Sequence, residues 1–397
     1  MGVTPDFIDH LRRVMSVFGT VRPGYETVRE AFAIGQEEDE GDAQLAVYRD
    51  GRLVVDLWSG SWSGDSAVIL MSCTKGLMAT CVHMLARQGR LDIDAAVQAY
   101  WPEFSSPDVT VRHLLTHSAG LPGFAKSTGI DARKILDWGA CTDVLAASEP
   151  LWKPGTAYRY HALTFGHLVG EVIRRITGQT PGEFFRSSVA EPLGLALWVG
   201  LPADEEHRVA PIFSTNPLPG VDETLAQLAS LGIDVNEPVL RTVMEDRQAG
   251  EGAESLFNRR EGHAAEIPAA NGIGNARSLA RMYAALIGEV GGVRLLDPDQ
   301  VAIAATPQTD GLPAAGAFAA IPTPNPLRFA LGYEAPRPGN PMLGSTSFGH
   351  SGLGGRLAFG DPASGIAIGY TCTNGSWNVY EGADPRWLPW LAALGDL

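Results

Sequence analysis

Ser72 and Lys75, in the stretch Met71-Ser-Cys-Thr-Lys-Gly76, are the first residues whose types and spacing suggest chemistry. Three apart on a helix, their side chains stand one above the other on the same face. A serine hydroxyl is a poor nucleophile unless a base lies within hydrogen-bond reach. Lysine can be that base where burial and the positive end of a helix dipole disfavour its ammonium. The same dipole and the unspent N–H groups of a first helical turn favour negative charge on a tetrahedral intermediate. The bland alternative is a serine that merely caps a helix. Cys73 likewise reads either as a reactive thiol or as a small buried filler. The pair gains meaning only from residues further along.

The elements around this stretch follow from patterning. Ala67-Val-Ile-Leu70 is a short apolar run, and residues 77–88 form an amphipathic helix stopped at Gly89. Before it, Gln44-Leu-Ala-Val-Tyr48 and Leu53-Val-Val-Asp-Leu-Trp58 are strand-like runs joined through Asp50-Gly51, a hairpin signal. Thr4-Pro5-Asp6 opens a helix with Phe7, Leu11, Met15 and Phe18 on one face and Gly19 as its close. Further helices are expected over 163–176, stopped by Gly178, and over 276–287. Segment 202–268, rich in Pro, Gly and acids, reads as an insertion or lid with short helices over 225–231 and 239–244. Strands return over 328–333, 356–359 and 366–372, and a helix over 387–394 ends the chain.

This order predicts an α+β fold, an α/β sandwich with an antiparallel sheet built from both chain ends and flanked by terminal helices. The expected division is a sheet domain of residues 1–90 together with 300–397, and an inserted, mainly helical domain over 91–299.

Composition narrows the function. The chain has 397 residues, 45% of them hydrophobic and 19% charged, which describes an ordinary globular protein. A net charge of −15 disfavours nucleic acid and anionic membrane surfaces as partners. Cys73, Cys81, Cys141 and Cys372 form no C-x-x-C pair, so neither a zinc site nor a redox dithiol is expected. His113 and His117 are four apart, a metal-like spacing, but no acid completes H-E-x-x-H, and local capping is the better account. No metal and no cofactor is expected. Gly272-Ile-Gly274 lacks the third glycine of a dinucleotide loop, and G-x-S-x-G occurs nowhere. Without a basic and apolar leader or a membrane-length apolar run, the expectation is a soluble, cytoplasmic protein.

Taken together, the motifs resemble the serine β-lactamase and penicillin-binding fold, and within it the class C β-lactamase-like carboxylesterases, or family VIII esterases. Ser72-Cys-Thr-Lys75 matches the nucleophile motif, and Leu114-Leu-Thr-His-Ser-Ala-Gly-Leu-Pro122 a second family stretch. Pro154-Gly-Thr-Ala-Tyr-Arg-Tyr160-His-Ala162 falls at the family's tyrosine motif. Asn271-Gly-Ile-Gly274 and Gly349-His-Ser-Gly352 complete the order, the last in place of a lysine-threonine-glycine strand. The resemblance implies Ser72 as nucleophile, Lys75 as its proton partner, and Tyr160 as a second base and acid. It implies an oxyanion site from the backbone N–H groups of Ser72 and Leu353. It also implies substrate contacts from His161, His350, Ser351 and Gly352.

Two departures bear on the substrate, expected to be a small-molecule ester. Ala162 stands where β-lactamases keep an asparagine, and His350 replaces the lysine that would attract a carboxylate. Both favour neutral ester substrates over antibiotics, and short or medium acyl chains are expected over long ones. Acyl transfer to another acceptor, β-lactamase or D-amino-acid peptidase activity, and a non-catalytic ligand-binding relative are the alternatives; the last is opposed by the intact Ser72, Lys75 and Tyr160.

Overall fold

The computed structural model describes residues 16–37, 39–249, 256–378 and 382–397. The chain enters through strand β1 (Val17–Val21), helix α1 (Glu26–Gly35), and strands β2 (Ala43–Arg49) and β3 (Arg52–Ser59). Asp50 and Gly51 both take positive φ, 49° and 73°, as a tight hairpin turn requires. A short strand β4 (Val68–Ile69) precedes helix α2 (Cys73–Arg87). The middle of the chain supplies α3 (Val111–Leu115), α4 (Trp138–Ala147), α5 (Thr164–Thr177), β5 (Leu197–Trp198), α6 (Val221–Ser230), α7 (Pro238–Ala249) and β6 (Ile273–Gly274). Then follow α8 (Ala276–Ile287), strands β7 (Phe348–Gly352), β8 (Arg356–Asp361) and β9 (Ile366–Cys372), and helix α9 (Leu388–Gly395).

The large sheet has the order β1-β3-β2-β9-β8-β7, and every pairing is antiparallel. Its centre is the β2–β9 pairing, with Leu45 opposite Tyr370 and Ala46 opposite Gly369. Residues from both chain ends thus meet in one ladder, as the patterning predicts.

Helices cover both faces. Phe32 of α1 and Trp390 of α9 pack on Tyr370 in one apolar layer. Across the sheet, α8 lies so close that a Cβ at Gly369 would stand 2.2 Å from the Ala276 carbonyl. Asn275 caps that helix by accepting from Ser278 N–H at 2.9 Å. Helix α2 is buried along nearly its whole length, which fixes the position of Ser72 at its start. A separate apolar cluster joins α6 and α7 to residues 316–320 through Val221, Leu240, Met244 and Phe318.

Two expectations fail. Most of the helix predicted over 4–19 lies outside the described residues, and its end is a strand: Val17 pairs with Ser59 and Val21 with Val55. Phe18 is 47% exposed there, and Gly19 at φ 100° serves a close approach to Asp56. The β-branched Val17, Thr20 and Val21 favour an edge strand over a helix end. Residues 328–333 form no strand, because Gly332 turns the chain at φ 84° and gives its N–H to the Leu115 carbonyl.

Gly369→Ala is therefore expected to destabilise the fold by roughly 2–3 kcal/mol, because backbone rather than a yielding side chain meets the new methyl. A urea titration measures this as a lowered midpoint; an unchanged midpoint would mean that α8 can back away from the sheet.

Candidate active site

Ser72 sits where β4 turns into α2, and the turn is strained. Met71 takes φ 49°, a left-handed conformation that costs a non-glycine residue energy. Thr74 holds it there, donating to the Met71 carbonyl at 2.6 Å and accepting from Gly272 N–H at 2.9 Å. Gly272 allows this approach, since a Cβ would meet Thr74 Oγ1 at 2.7 Å. Neither Thr74 nor the role of Gly272 is legible from the motif letters alone.

Three groups from distant stretches converge. Lys75 Nζ donates to Ser72 Oγ at 3.2 Å, and the Tyr160 hydroxyl donates to the same oxygen at 2.7 Å. Lys75 Nζ lies 4.7 Å from the centre of the Tyr160 ring. Its remaining donors go to the carbonyls of Ala162, at 2.8 Å, and Ala269, at 2.9 Å. Lys75 is fully buried, whereas Ser72 and Tyr160 are only partly so.

Burial drives Lys75 down to about 7, against opposing pulls from the carboxylates of Glu334 and Asp246. Near neutral pH its amine can therefore either give or take a proton. Burial also pushes the Cys73 thiol well above the usual thiol range, which makes it the inert filler of the two readings.

Tyr160 is held from behind. Its ring stacks on Phe329 at 5.7 Å, and His117 packs 4.9 Å from it. His117 Nδ1 accepts from the His161 N–H at 3.1 Å, so this histidine serves the backbone rather than a metal. His113 completes a capping box with Thr110 at the start of α3. No cluster of metal-binding side chains occurs among the described residues.

The expected substrate contacts fare unevenly. His161 is fully buried; its Nδ1 donates to the Arg159 carbonyl at 2.6 Å and its Nε2 accepts from Leu121 N–H at 3.2 Å. Both ring nitrogens are spent on backbone, so His161 orders the loop that carries Tyr160. Ser351 is likewise diverted, its hydroxyl lying 2.9 Å from both oxygens of the buried Glu334.

His350 packs 6.2 Å from the Tyr160 ring, and its Nδ1 donates to the Ser351 carbonyl at 2.7 Å. Burial lowers its pKa to about 4, so the ring is neutral near pH 7. Gly352 brings β7 against the serine turn, since a Cβ would stand 2.5 Å from the Leu70 carbonyl. Leu353 follows it, 37% exposed. Among the described residues no hydrogen bond uses the N–H of Ser72 or of Leu353. Glu334 and Asp246 carry no signal in the sequence.

Asp246 of α7 accepts from Phe124 N–H at 2.8 Å, which ties the α6–α7 cluster to the site. Burial pushes Asp246 up to about 7. Two surface hollows, of about 310 and 450 Å³, flank the segment that leads to Tyr160, and neither is lined by Ser72. Convergence of groups marks the site.

The arrangement suits acyl transfer: an amine and a phenol both lie within hydrogen-bond reach of one serine hydroxyl. Comparisons with known proteins agree with it. The family profile described as Beta-lactamase matches residues 30–388. The esterase/beta-lactamase LipL of Mycobacterium tuberculosis is 36% identical over 369 residues, covering 89% of this chain and 82% of LipL. The crystal structure of a family VIII carboxylesterase superposes with a TM-score of 0.78 at 32% identity, covering 95% of this chain and 98% of that one. A penicillin-binding protein homologue from Caulobacter crescentus superposes with a TM-score of 0.79 at 31% identity, covering 95% and 98%.

Thr74→Val keeps the shape of the serine turn but leaves the buried Gly272 N–H without its acceptor. The expected cost is about 1–3 kcal/mol, measured as a lowered denaturant midpoint. A variant as stable as the parent would show that the turn does not depend on that hydroxyl.

Proposed function

This chain belongs to the beta-lactamase family, and from that premise we propose that it is a serine carboxylesterase acting through an acyl-enzyme on Ser72. The observation that carries the reading is that Lys75 Nζ and the Tyr160 hydroxyl both reach Ser72 Oγ. With Lys75 neutral, the proton of Ser72 passes to the Lys75–Tyr160 pair as Oγ attacks the ester carbonyl carbon. Negative charge collects on the carbonyl oxygen, and the N–H groups of Ser72 and Leu353 are its donors. As the tetrahedral intermediate collapses, the ester C–O bond breaks and Tyr160 protonates the departing alkoxide. Water then attacks the acyl group, the same pair taking its proton, and Ser72 is released with a free carboxylic acid.

The substrates are neutral esters of short or medium acyl chains. A neutral His350 offers no charge to a substrate carboxylate, and its side chain lies 3.7 Å from Glu334, an acid that would repel one. Acyl transfer to a second alcohol or amine uses the same acyl-enzyme, and the products of a mixed assay separate the two readings.

Two outcomes follow. Ser72→Ala abolishes covalent labelling by a fluorophosphonate, and Tyr160→Phe lowers kcat by roughly 10²–10⁴-fold with the fold intact. Labelling that persists in the alanine variant, or near-normal turnover of the phenylalanine variant, contradicts the assignment.

The pH dependence is a third outcome. The working form of Lys75 is the neutral amine, present above its pKa, so kcat/KM rises with pH through about 7 and levels off above. A profile flat from pH 5 to pH 9, roughly two units on either side, would remove Lys75 from the proton path.

A further inference from the structure

A carboxylate that none of these steps uses lies behind the site. Glu334 is 2% exposed. Ser351 Oγ lies 2.9 Å from both of its oxygens, and one of them also accepts from Ser351 N–H at 3.2 Å and Asn340 Nδ2 at 2.8 Å. His350 Nδ1 lies 3.7 Å away. Burial alone would push this carboxyl up. The Arg337 charge and the hydrogen bonds from Ser351 and Asn340 oppose that push, His350 adds to them only where its ring is protonated, and together they hold the carboxyl below the usual range. Glu334 is therefore an anion in the interior, and its charge opposes the desolvation of Lys75.

We propose that Glu334 is a positioning residue for acyl transfer: its carboxylate locks His350 and Ser351 in strand β7 beside the serine turn, and its buried negative charge balances the Lys75 ammonium. The link to the turn is direct, for Cys73 Sγ donates to the His350 carbonyl at 3.1 Å and Gly352 abuts Leu70. The proposal rests on the Ser72–Lys75–Tyr160 reading and adds what sets the pH at which that site becomes active.

Several other groups face the same amine. Cys73 lies on its own helix, Tyr160 and His161 on the loop before α5, His117 after α3, His350 on β7 and Asp246 on α7. Glu334 itself faces His350, Arg337, Cys73, Tyr283 and Lys75. Of these, burial holds the histidines neutral and keeps Cys73 and Tyr283 protonated near pH 7. Asp246, at about 7, is the group that titrates beside Lys75 in the same range.

The test is Glu334→Gln, made in the parent and in Asp246→Asn, with kcat/KM for a neutral p-nitrophenyl ester followed from pH 5 to pH 9. The glutamine keeps the shape. Asn340 Oδ1, buried and without a partner among the described residues, can turn to accept from the new amide. Removing the anion disfavours the ammonium, so the ascending limb moves to lower pH by about one unit in both backgrounds. A folded glutamine variant whose limb stays in place overturns the proposal.

Glu334→Asp keeps the charge but withdraws it from β7. Its limb stays at the parental pH while kcat falls roughly tenfold or more with KM little changed, the signature of lost positioning. An aspartate variant with parental kcat overturns the proposal even where the glutamine variant does not fold. Fluorophosphonate labelling of the parent is run alongside. Labelling lost in Ser72→Ala with an unmoved limb in the glutamine variant refutes this inference alone, whereas labelling that survives Ser72→Ala refutes the reading beneath it.

Discussion

Taking the ammonium of Lys75 out of water is the constraint on which the rest of the site depends. An isolated buried charge is costly, and a protein escapes that cost by pairing the group or neutralising it. Here both happen in part. The amine meets three acceptors, two of them backbone carbonyls 87 and 194 residues further along the chain. A helix start, the loop before α5 and the turn before β6 must therefore meet at one point. The resulting balance leaves the amine near the middle of its titration at neutral pH, where a proton moves with little bias in either direction.

Around that point the molecule spends polar groups on holding backbone rather than on binding ligand. Thr74 secures a strained Met71, His117 and His161 hold the segment that carries Tyr160, and Glu334 secures Ser351. What faces outward is left to the cluster of α6, α7 and residues 316–320, which has an apolar core of its own. The Arg159 guanidinium lies 3.5 Å from the centre of the Phe318 ring of that cluster, one residue before Tyr160. Asp246 ties α7 to Phe124 on the other side. The cluster is thus tied by contact to the segment that leads into Tyr160 and to the backbone at Phe124.

Much of this was legible in the sequence because it is local. The Ser-x-x-Lys spacing, the Asp50-Gly51 hairpin, the helix over 276–287 and the strands over 356–359 and 366–372 follow from short-range pattern and turn chemistry, and all are present. Tyr160 was legible only through resemblance, since nothing local distinguishes it from a core aromatic. What escaped is non-local. Glu334 and Asp246 are single acids whose importance lies in being buried opposite a distant amine, and burial of one charged residue leaves no periodic trace. The surroundings of His161 and Ser351 are non-local too. His161 stands next to Tyr160 in the chain yet turns inward to Arg159 and Leu121. Ser351 lies in a motif associated with substrate yet bonds to Glu334. The strand at 17–21 was hidden by an apolar spacing that fits a helix until Gly19 is seen to lie against Asp56.

The most direct test of the central claim is to catch the covalent intermediate itself. The protein is mixed with a p-nitrophenyl acetate excess, quenched in acid within the first turnover, and mapped by peptide mass spectrometry. The account predicts a gain of one acetyl group on the peptide that carries Ser72, formed as fast as the first equivalent of p-nitrophenol. Hydrolysis with that peptide unmodified at every time point, or an acetyl group on another residue forming at the turnover rate, would contradict it.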